Sequence, residues 1–337
     1  LGLRSKIRAI REIRRATDEL DPGSREARIR SAVRQSVAAG NAVVGDRSDS
    51  LRAVPSMARE GLYGCVFHEI PEFSARRAAK ALAAAAVDRA RIVPWPEGIR
   101  YRIAPHSLYS TAEAVMREVF ARALEAGAVT AVRLAEAEDE GDLSGPDGAA
   151  KAIVEAASTL WDEFGPPGAD PLAYLERLGG LNERVMLVNM NTATRSMVQK
   201  ASKAGAPVVL TPRAALQDSG KLPPLVSFLE EGCRIALGTD SPASGPDGSV
   251  LREAAELHAA FPEVPAMVLM QAALSGGADA LGIDSVCTFD PGCAPGLLHA
   301  DTAGFVPDDP CGWMLREGTP DLNWLVRPAP PGELRVG

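Results

Sequence analysis

Short apolar runs rich in Val, Ile and Leu alternate along this chain with longer Ala-, Arg- and Glu-rich stretches. The apolar runs are NAVVGD (41–46), LYGCVFH (62–68), RYRIAPH (100–106), AVTAVRL (128–134), RVMLVNM (184–190), APVVLT (206–211) and CRIALGT (233–239). Each ends in small or polar residues. The stretches near 50–60, 74–90, 110–126, 147–164, 192–204, 222–231, 248–260 and 263–281 read as helices. Strands that alternate with helices pair in parallel, because each crossover helix returns the chain in the same direction. The pattern therefore predicts seven parallel strands behind one leading helical region, 3–39.

A doubly wound open sheet and a (β/α)8 barrel both fit this pattern. No G-x-G-x-x-G follows the first strand, and no G-x-x-x-x-G-K occurs, which weakens the nucleotide-binding open sheet. Seven strands with a helix ahead of the first match a TIM barrel that lacks its first strand. Polar residues at the ends of several strands also favour a barrel, whose chemistry sits at the strand C-termini. From Gly282 onward Gly and Pro become frequent, in FDPGCAPGLLHAD, FVPDD and RPAPPGEL. The expected division is a barrel over 1–281 and a small β appendage over 282–337. The polar insertion 138–149 is expected to be a loop at the barrel rim.

Charge narrows the range of functions. The net charge is −8, so phosphate-backbone binding is not the main task. The basic cluster Arg4, Lys6, Arg8, Arg11, Arg14 and Arg15 has the spacing of a wet helix face. No apolar run approaches the ~20 residues of a membrane span. No signal peptide is visible, so a cytoplasmic location is expected. The five cysteines include no C-x-x-C pair. Cys65 and Cys233 read as core residues, and Cys287 and Cys293 as free thiols in a reducing compartment. The chain begins with Leu1 rather than Met, so the expectation is that the natural N-terminus lies further upstream. Ala-rich helices offer faces on which a homodimer is conceivable.

The strand ends carry a resemblance. AVVGDRSDS, IAPHSLYS, RLAEAEDE, VMLVNMN, VVLTPRAAL and IALGTDSPAS, in that order, resemble the amidohydrolase superfamily of metal-dependent hydrolases. Within it they are similar to the branch of nucleoside and aminofutalosine deaminases and chlorohydrolases. FDPGCAPGLLHAD resembles the strand that returns to that family's β-sandwich. The resemblance implies a metal-dependent hydrolase barrel and C–N bond hydrolysis on a purine-like heterocycle. It further implies zinc or iron, held by a H-x-H pair, a strand-five His and a strand-eight Asp. Such a metal lowers the pKa of bound water from about 15.7 to about 7, and a Glu after strand five shuttles protons.

Carried over by position, Asp240 matches the strand-eight Asp and Glu136 the proton-shuttling Glu. The strand-five ligand position holds Arg133, and the strand-six position holds Asn189. The H-x-H has no counterpart, because the chain begins after the point where it would stand. A guanidinium has donors only and stays protonated, so Arg133 cannot ligate a metal. The expectation is a site without a metal cofactor, in which Arg133 supplies positive charge and pairs with Asp240 or Glu136. His106, Asn189, Arg133 and Arg213 are the candidate contacts for a small heterocyclic ligand. Arg213 has an open alternative, as a cap for the segment that follows. Asp46, Arg47 and Ser48 are expected at the same face, and His68 and Glu69 as strand-end filler or a hydrogen-bonded pair. Three readings follow: a deaminase-related protein without metal-dependent activity, a pseudoenzyme that acts as a binding or assembly partner, and a metal-independent hydrolase using Glu136 and Asp240.

Overall fold

A computed structural model describes residues 12–13, 15–138, 140, 151, 164, 170–291, 293–316 and 321–329. All of the insertion 138–149 except Glu138 and Glu140, nearly all of the helix expected over 147–164, and the basic residues Arg4, Lys6, Arg8, Arg11 and Arg14 lie outside these residues. Arg15 is exposed and pairs with Glu19 at 3.3 Å, as a wet helix face requires.

Seven parallel strands stand in chain order: β1 Val43–Ser48, β2 Tyr63–Glu69, β3 Ile99–Ala104, β4 Thr130–Leu134, β5 Val185–Asn189, β6 Val208–Leu210 and β7 Ile235–Leu237. They hydrogen-bond as a set of three, β1-β2-β3, and a set of four, β4-β5-β6-β7. The two sets meet at a single bridge between Ser107 and Arg133. There the Arg133 N–H donates to the His106 carbonyl at 3.4 Å. The Thr130 hydroxyl adds a bond to the Ile103 carbonyl at 2.8 Å. The arrangement is a (β/α) barrel with seven strands among the described residues.

Alternate strand residues point inward and build the barrel's interior. Cys65, Phe67, Ala104, Ala131, Met186, Val188 and Ala236 form one buried cluster. In register across the four-stranded set stand Arg133, Val188, Val209 and Ala236. The outward residues of the same strands, such as Val132, Leu134, Leu187, Val208 and Leu210, pack under the helices in a second and larger cluster. This two-sided burial is why the strands read as continuous apolar runs.

Twelve helices are numbered here in chain order. Those after β1, β2 and β3 are α2 Val54–Glu60, α3 Ala78–Ala90 and α4 Glu113–Glu125, preceded by α1 Pro22–Ala38. The rest are α5 Pro171–Arg177, α6 Arg195–Lys203, α7 Pro212–Ser219, α8 Leu225–Glu230, α9 Val250–Ala260, α10 Ala266–Ala273, α11 Ser275–Leu281 and α12 Pro310–Arg316. Their starts follow local chemistry: the carboxylates of Asp21 and Asp170 accept from the first turns of α1 and α5, each followed by Pro. Three helices, α5, α7 and α12, were not expected from the sequence. All three begin at Pro and are short, so no full helical period marks them. The stretch 263–281 is two helices, broken at Leu274.

The C-terminal region forms the small β unit expected of it, an antiparallel pair of β8 Leu297–Ala300 and β9 Leu322–Val326. Trp324 fastens this pair to α1 by donating its indole N–H to the Val37 carbonyl at 2.8 Å. Helix α12 between the two strands turns back to the barrel, and its Leu315 is buried in the large core cluster.

Among the described residues β1 pairs with β2 and β7 with β6. Helix α11 packs close to the β7 edge. A Cβ on Gly276 would collide with the Ile235 carbonyl oxygen, whereas a Cβ on Gly277 would meet nothing within 4 Å. Gly276→Ala is therefore expected to destabilise the fold by about 1–3 kcal/mol through forced displacement of the helix. Gly277→Ala is expected to be neutral or stabilising by up to ~1 kcal/mol, since Ala favours a helix. Urea unfolding of the two variants checks this, and equal effects would contradict the packing described.

Candidate functional site

Four non-glycine residues with left-handed backbone stand where strands end. They are Ala135 (φ 50°) after β4, Asn189 (φ 80°) and Met190 (φ 51°) at β5, and Asp240 (φ 55°) after β7. A non-glycine residue pays conformational energy there, and such strain collects where a fold must aim particular groups. Cross-strand bonds hold these ends: the Met190 N–H to the Leu134 carbonyl, and the Thr192 N–H to the Ala135 carbonyl. The Asn191 amide adds a bond to the Glu136 carbonyl at 3.2 Å.

These ends bring Arg133, Glu136 and Asp240 together. Arg133 Nη2 lies 3.2 Å from Asp240 Oδ1, and Nη1 lies 3.7 Å from Glu136 Oε1. The side chains are 16, 9 and 1 % exposed for Arg133, Asp240 and Glu136. Water therefore screens the trio little. Burial alone would weaken the proton affinity of the Arg133 guanidinium, but Asp240, Glu136 and Glu69 outweigh it and raise the value. Arg133 is a permanent cation. Glu136 is fastened from its other side as well, where the Tyr109 hydroxyl donates to Oε2 at 2.7 Å. Tyr109 is pushed well above its ordinary pKa by burial and by Glu136, so it stays protonated and keeps donating. The Glu136 N–H in turn donates to Glu140 Oε2 at 2.7 Å.

A second buried pair lies alongside. Arg47 donates from Nε (3.0 Å) and Nη2 (2.6 Å) to Glu69 Oε1, and from Nη2 to the His106 carbonyl at 2.8 Å. Burial would raise the Glu69 carboxyl, but Arg47, His106 and Arg133 together hold it below its ordinary value. Of the two alternatives for His68 and Glu69, a mutual hydrogen bond does not form. Strand alternation sends the two side chains to opposite faces, and His68 Nδ1 lies 3.1 Å from the Tyr101 hydroxyl instead.

A cavity of about 450 Å³ opens beside these groups. Its walls include Asp46, Arg47, Arg133 and Asp240 at the mouth, and Val43, Val188, Ala236 and Leu281 deeper in. Val43 and Val44 of β1 and Ala236 and Leu237 of β7 line it, so it lies between these two strands. Arg47 Nη1, Arg133 Nε and Asp46 Oδ2 are buried without a hydrogen-bond partner.

The remaining candidates stand further back. Asn189 is fully buried and donates to the Thr211 hydroxyl at 3.0 Å, leaving Oδ1 unpartnered. Thr211, not Asn189, lines the cavity. His106 points its Nδ1 at Ser110 Oγ, 2.6 Å away, and burial lowers its pKa. Arg213 is spent on structure. It donates to Glu253 Oε1 (2.7 Å), to both oxygens of Asp247 (2.8 and 2.9 Å) and to the Ser249 carbonyl. Arg213 thereby ties the loop after β7 to α7 and α9. Tyr109 was the residue missed. Its only signal was its place in SLYS, beside the His106 already singled out.

The metal that the family resemblance implies does not fit this donor set. The residue central to the mouth is Arg133, which offers no lone pair and would repel a dication. Its guanidinium already takes the carboxylate of Asp240. Among the described residues no group of three or more His, Cys, Asp or Glu is placed to hold a metal ion.

Asp46 supplies a test of the electrostatics. Burial, with Glu69 adding, raises its carboxyl to about 6. The folded protein therefore binds this proton more tightly than the unfolded chain does. The associated stability is complete at low pH and is lost between about pH 4 and pH 6 as the carboxyl ionises. Asp46→Asn is expected to be more stable than the parent by roughly 2–3 kcal/mol above pH 6, with the difference vanishing below pH 4. Urea unfolding across this range reads the difference, and a gap that persists at low pH would refute the burial of this charge.

The comparisons with known proteins agree with one another. The sequence pattern of the amidohydrolase family matches residues 6–321. An aminodeoxyfutalosine deaminase of Deinococcus radiodurans is 30% identical over 235 residues, 67% of this chain and 56% of that protein. A 5-methylthioadenosine/S-adenosylhomocysteine deaminase of Halobacterium salinarum is 32% identical over 188 residues, 54% of this chain and 39% of that protein. The matches thus span about half the length of these relatives or less. Among solved structures, Helicobacter pylori aminofutalosine deaminase superposes with a TM-score of 0.76 at 16% identity, covering 89% of this chain and 76% of that one. An adenosine deaminase from Xanthomonas campestris, with bound zinc, gives 0.73 at 20% identity over 99% of this chain and 75% of that one. These structural likenesses, at such low identity, speak for the barrel fold. The chain belongs to the amidohydrolase family.

Proposed function

We propose that this chain binds a purine-like heterocycle at the mouth of its barrel and does not carry out metal-dependent C–N hydrolysis there. The observation that carries the reading is the 3.2 Å contact between Arg133 and Asp240. In a metal-dependent hydrolase, the water to be activated sits on a cation with an open coordination position. Here the carboxylate that would ligate that cation is turned to a guanidinium, which has no such position. The choice of ligand rests on the relatives, whose names are those of deaminases of adenosine-like compounds. It also rests on the cavity, whose lining joins the charged Asp46, Arg47, Arg133 and Asp240 to the apolar Val43, Val188 and Ala236, a mixture suited to a polar-edged ring.

In this reading Arg133 and Asp240 contact the ligand directly. Glu136 and Tyr109 hold Arg133 in position, and Asn189 acts through Thr211. The metal-independent hydrolase reading is less favoured, because the two Glu136 oxygens face Tyr109 and Arg133.

Three measurements on the full-length protein decide the matter: elemental analysis, a deamination assay, and titration calorimetry with 5′-methylthioadenosine. The expected outcome is no stoichiometric zinc or iron, no deamination, and saturable binding that Asp240→Asn weakens about tenfold or more, the loss of a charged hydrogen bond. Stoichiometric metal that is lost in Asp240→Ala, together with deamination, would overturn the reading. Turnover that survives chelation and disappears in Glu136→Gln would replace it with metal-independent hydrolysis.

A further inference from the structure

We infer that Arg133 is the resident cation of the barrel mouth, and that this one side chain closes the mouth to divalent metals. The inference rests on the metal-free reading above and goes beyond it by assigning the exclusion to a single residue. Two carboxylates from different strand ends converge on the Arg133 guanidinium, Asp240 at 3.2 Å and Glu136 at 3.7 Å. Glu69 contributes to the same field. The other cation present, Arg47, is engaged with Glu69. Without the Arg133 charge, Asp240 and Glu136 would repel each other in a poorly screened place, as carboxylates gathered round a metal do before the metal binds.

The main chain at position 133 has a bond of its own. The Arg133 N–H bonds to the His106 carbonyl, and the left-handed residues Ala135 and Asp240 fix where the two carboxylates emerge. An imidazole at position 133 would replace a donor-only group by one with a lone pair. Together with Asp240 and Glu136 it would make three ligands of the types zinc accepts, with room for water in the neighbouring cavity.

The experiment compares the full-length protein with Arg133→His and with the double variant R133H/D240N. Each is incubated with Co(II) or Zn(II), passed through a desalting column and analysed for metal. Visible absorption of bound Co(II) reports its coordination. The wild type is expected to retain essentially no metal, R133H about one equivalent in a tetrahedral-type site, and the double variant essentially none. A folded R133H without metal, beside a metal-free wild type, would overturn this inference alone. A wild type that holds stoichiometric metal would overturn the metal-free reading as well.

Arg133→Lys and Arg133→Gln test the charge independently of whether R133H folds. Lys keeps the cation and is expected to melt closer to the wild type than Gln does. Equal destabilisation by Lys and Gln would show that shape rather than charge matters at 133 and would overturn the resident-cation role.

Discussion

One buried guanidinium, held between two carboxylates, governs the mouth of this barrel. Arg133 sits on the inner face of β4, and the charges it balances come from just beyond β4 and β7. Ions removed from water need partners at close range, and breaking such a pair typically leaves an uncompensated charge that costs about 3–5 kcal/mol. The strained ends of β4, β5 and β7 persist because this pairing and the cross-strand bonds beside it hold them in place. The cavity wall is a consequence. Its charged end exists because these groups cannot be covered by apolar side chains, while Val43, Val188 and Ala236 line its deeper part.

The family explains the barrel more fully than it explains the site. Likeness to deaminases extends over most of the chain, yet positions 133 and 189 depart from the ligand pattern that the family uses. A fold supports many chemistries, and activity follows from the groups at its strand ends. For this chain those groups are Arg133, Asp240 and Glu136, with Arg47 and Glu69 beside them. They make a poorly screened cluster of two guanidinium groups and three carboxylates at the strand ends.

Much of the fold was legible in the sequence because parallel barrel strands are buried on both faces and read as apolar runs. All seven runs proved to be strands, and those of β1, β4 and β7 end at the Arg47, Arg133 and Asp240 of the mouth. Short helices starting at Pro, such as α5 and α7, carry too few residues to show a period. The pairing of Arg133 with Asp240 was legible for a different reason: a guanidinium in place of a ligand leaves a nearby carboxylate in need of a cation. The Arg47–Glu69 pair and the Tyr109 hydroxyl were not legible, because they join residues 22 and 27 positions apart across neighbouring strands and loops. Nothing in local spacing records such contacts. Arg213 shows the converse, since a residue near a strand end looked suited to ligand binding until its fork was found filled by Asp247 and Glu253.

The two strand sets, β1–β3 and β4–β7, touch through one bridge, and Arg133 is half of it. The residue whose side chain gathers the charges of the mouth therefore also carries, through its main chain, the bridge that joins the two sets of strands.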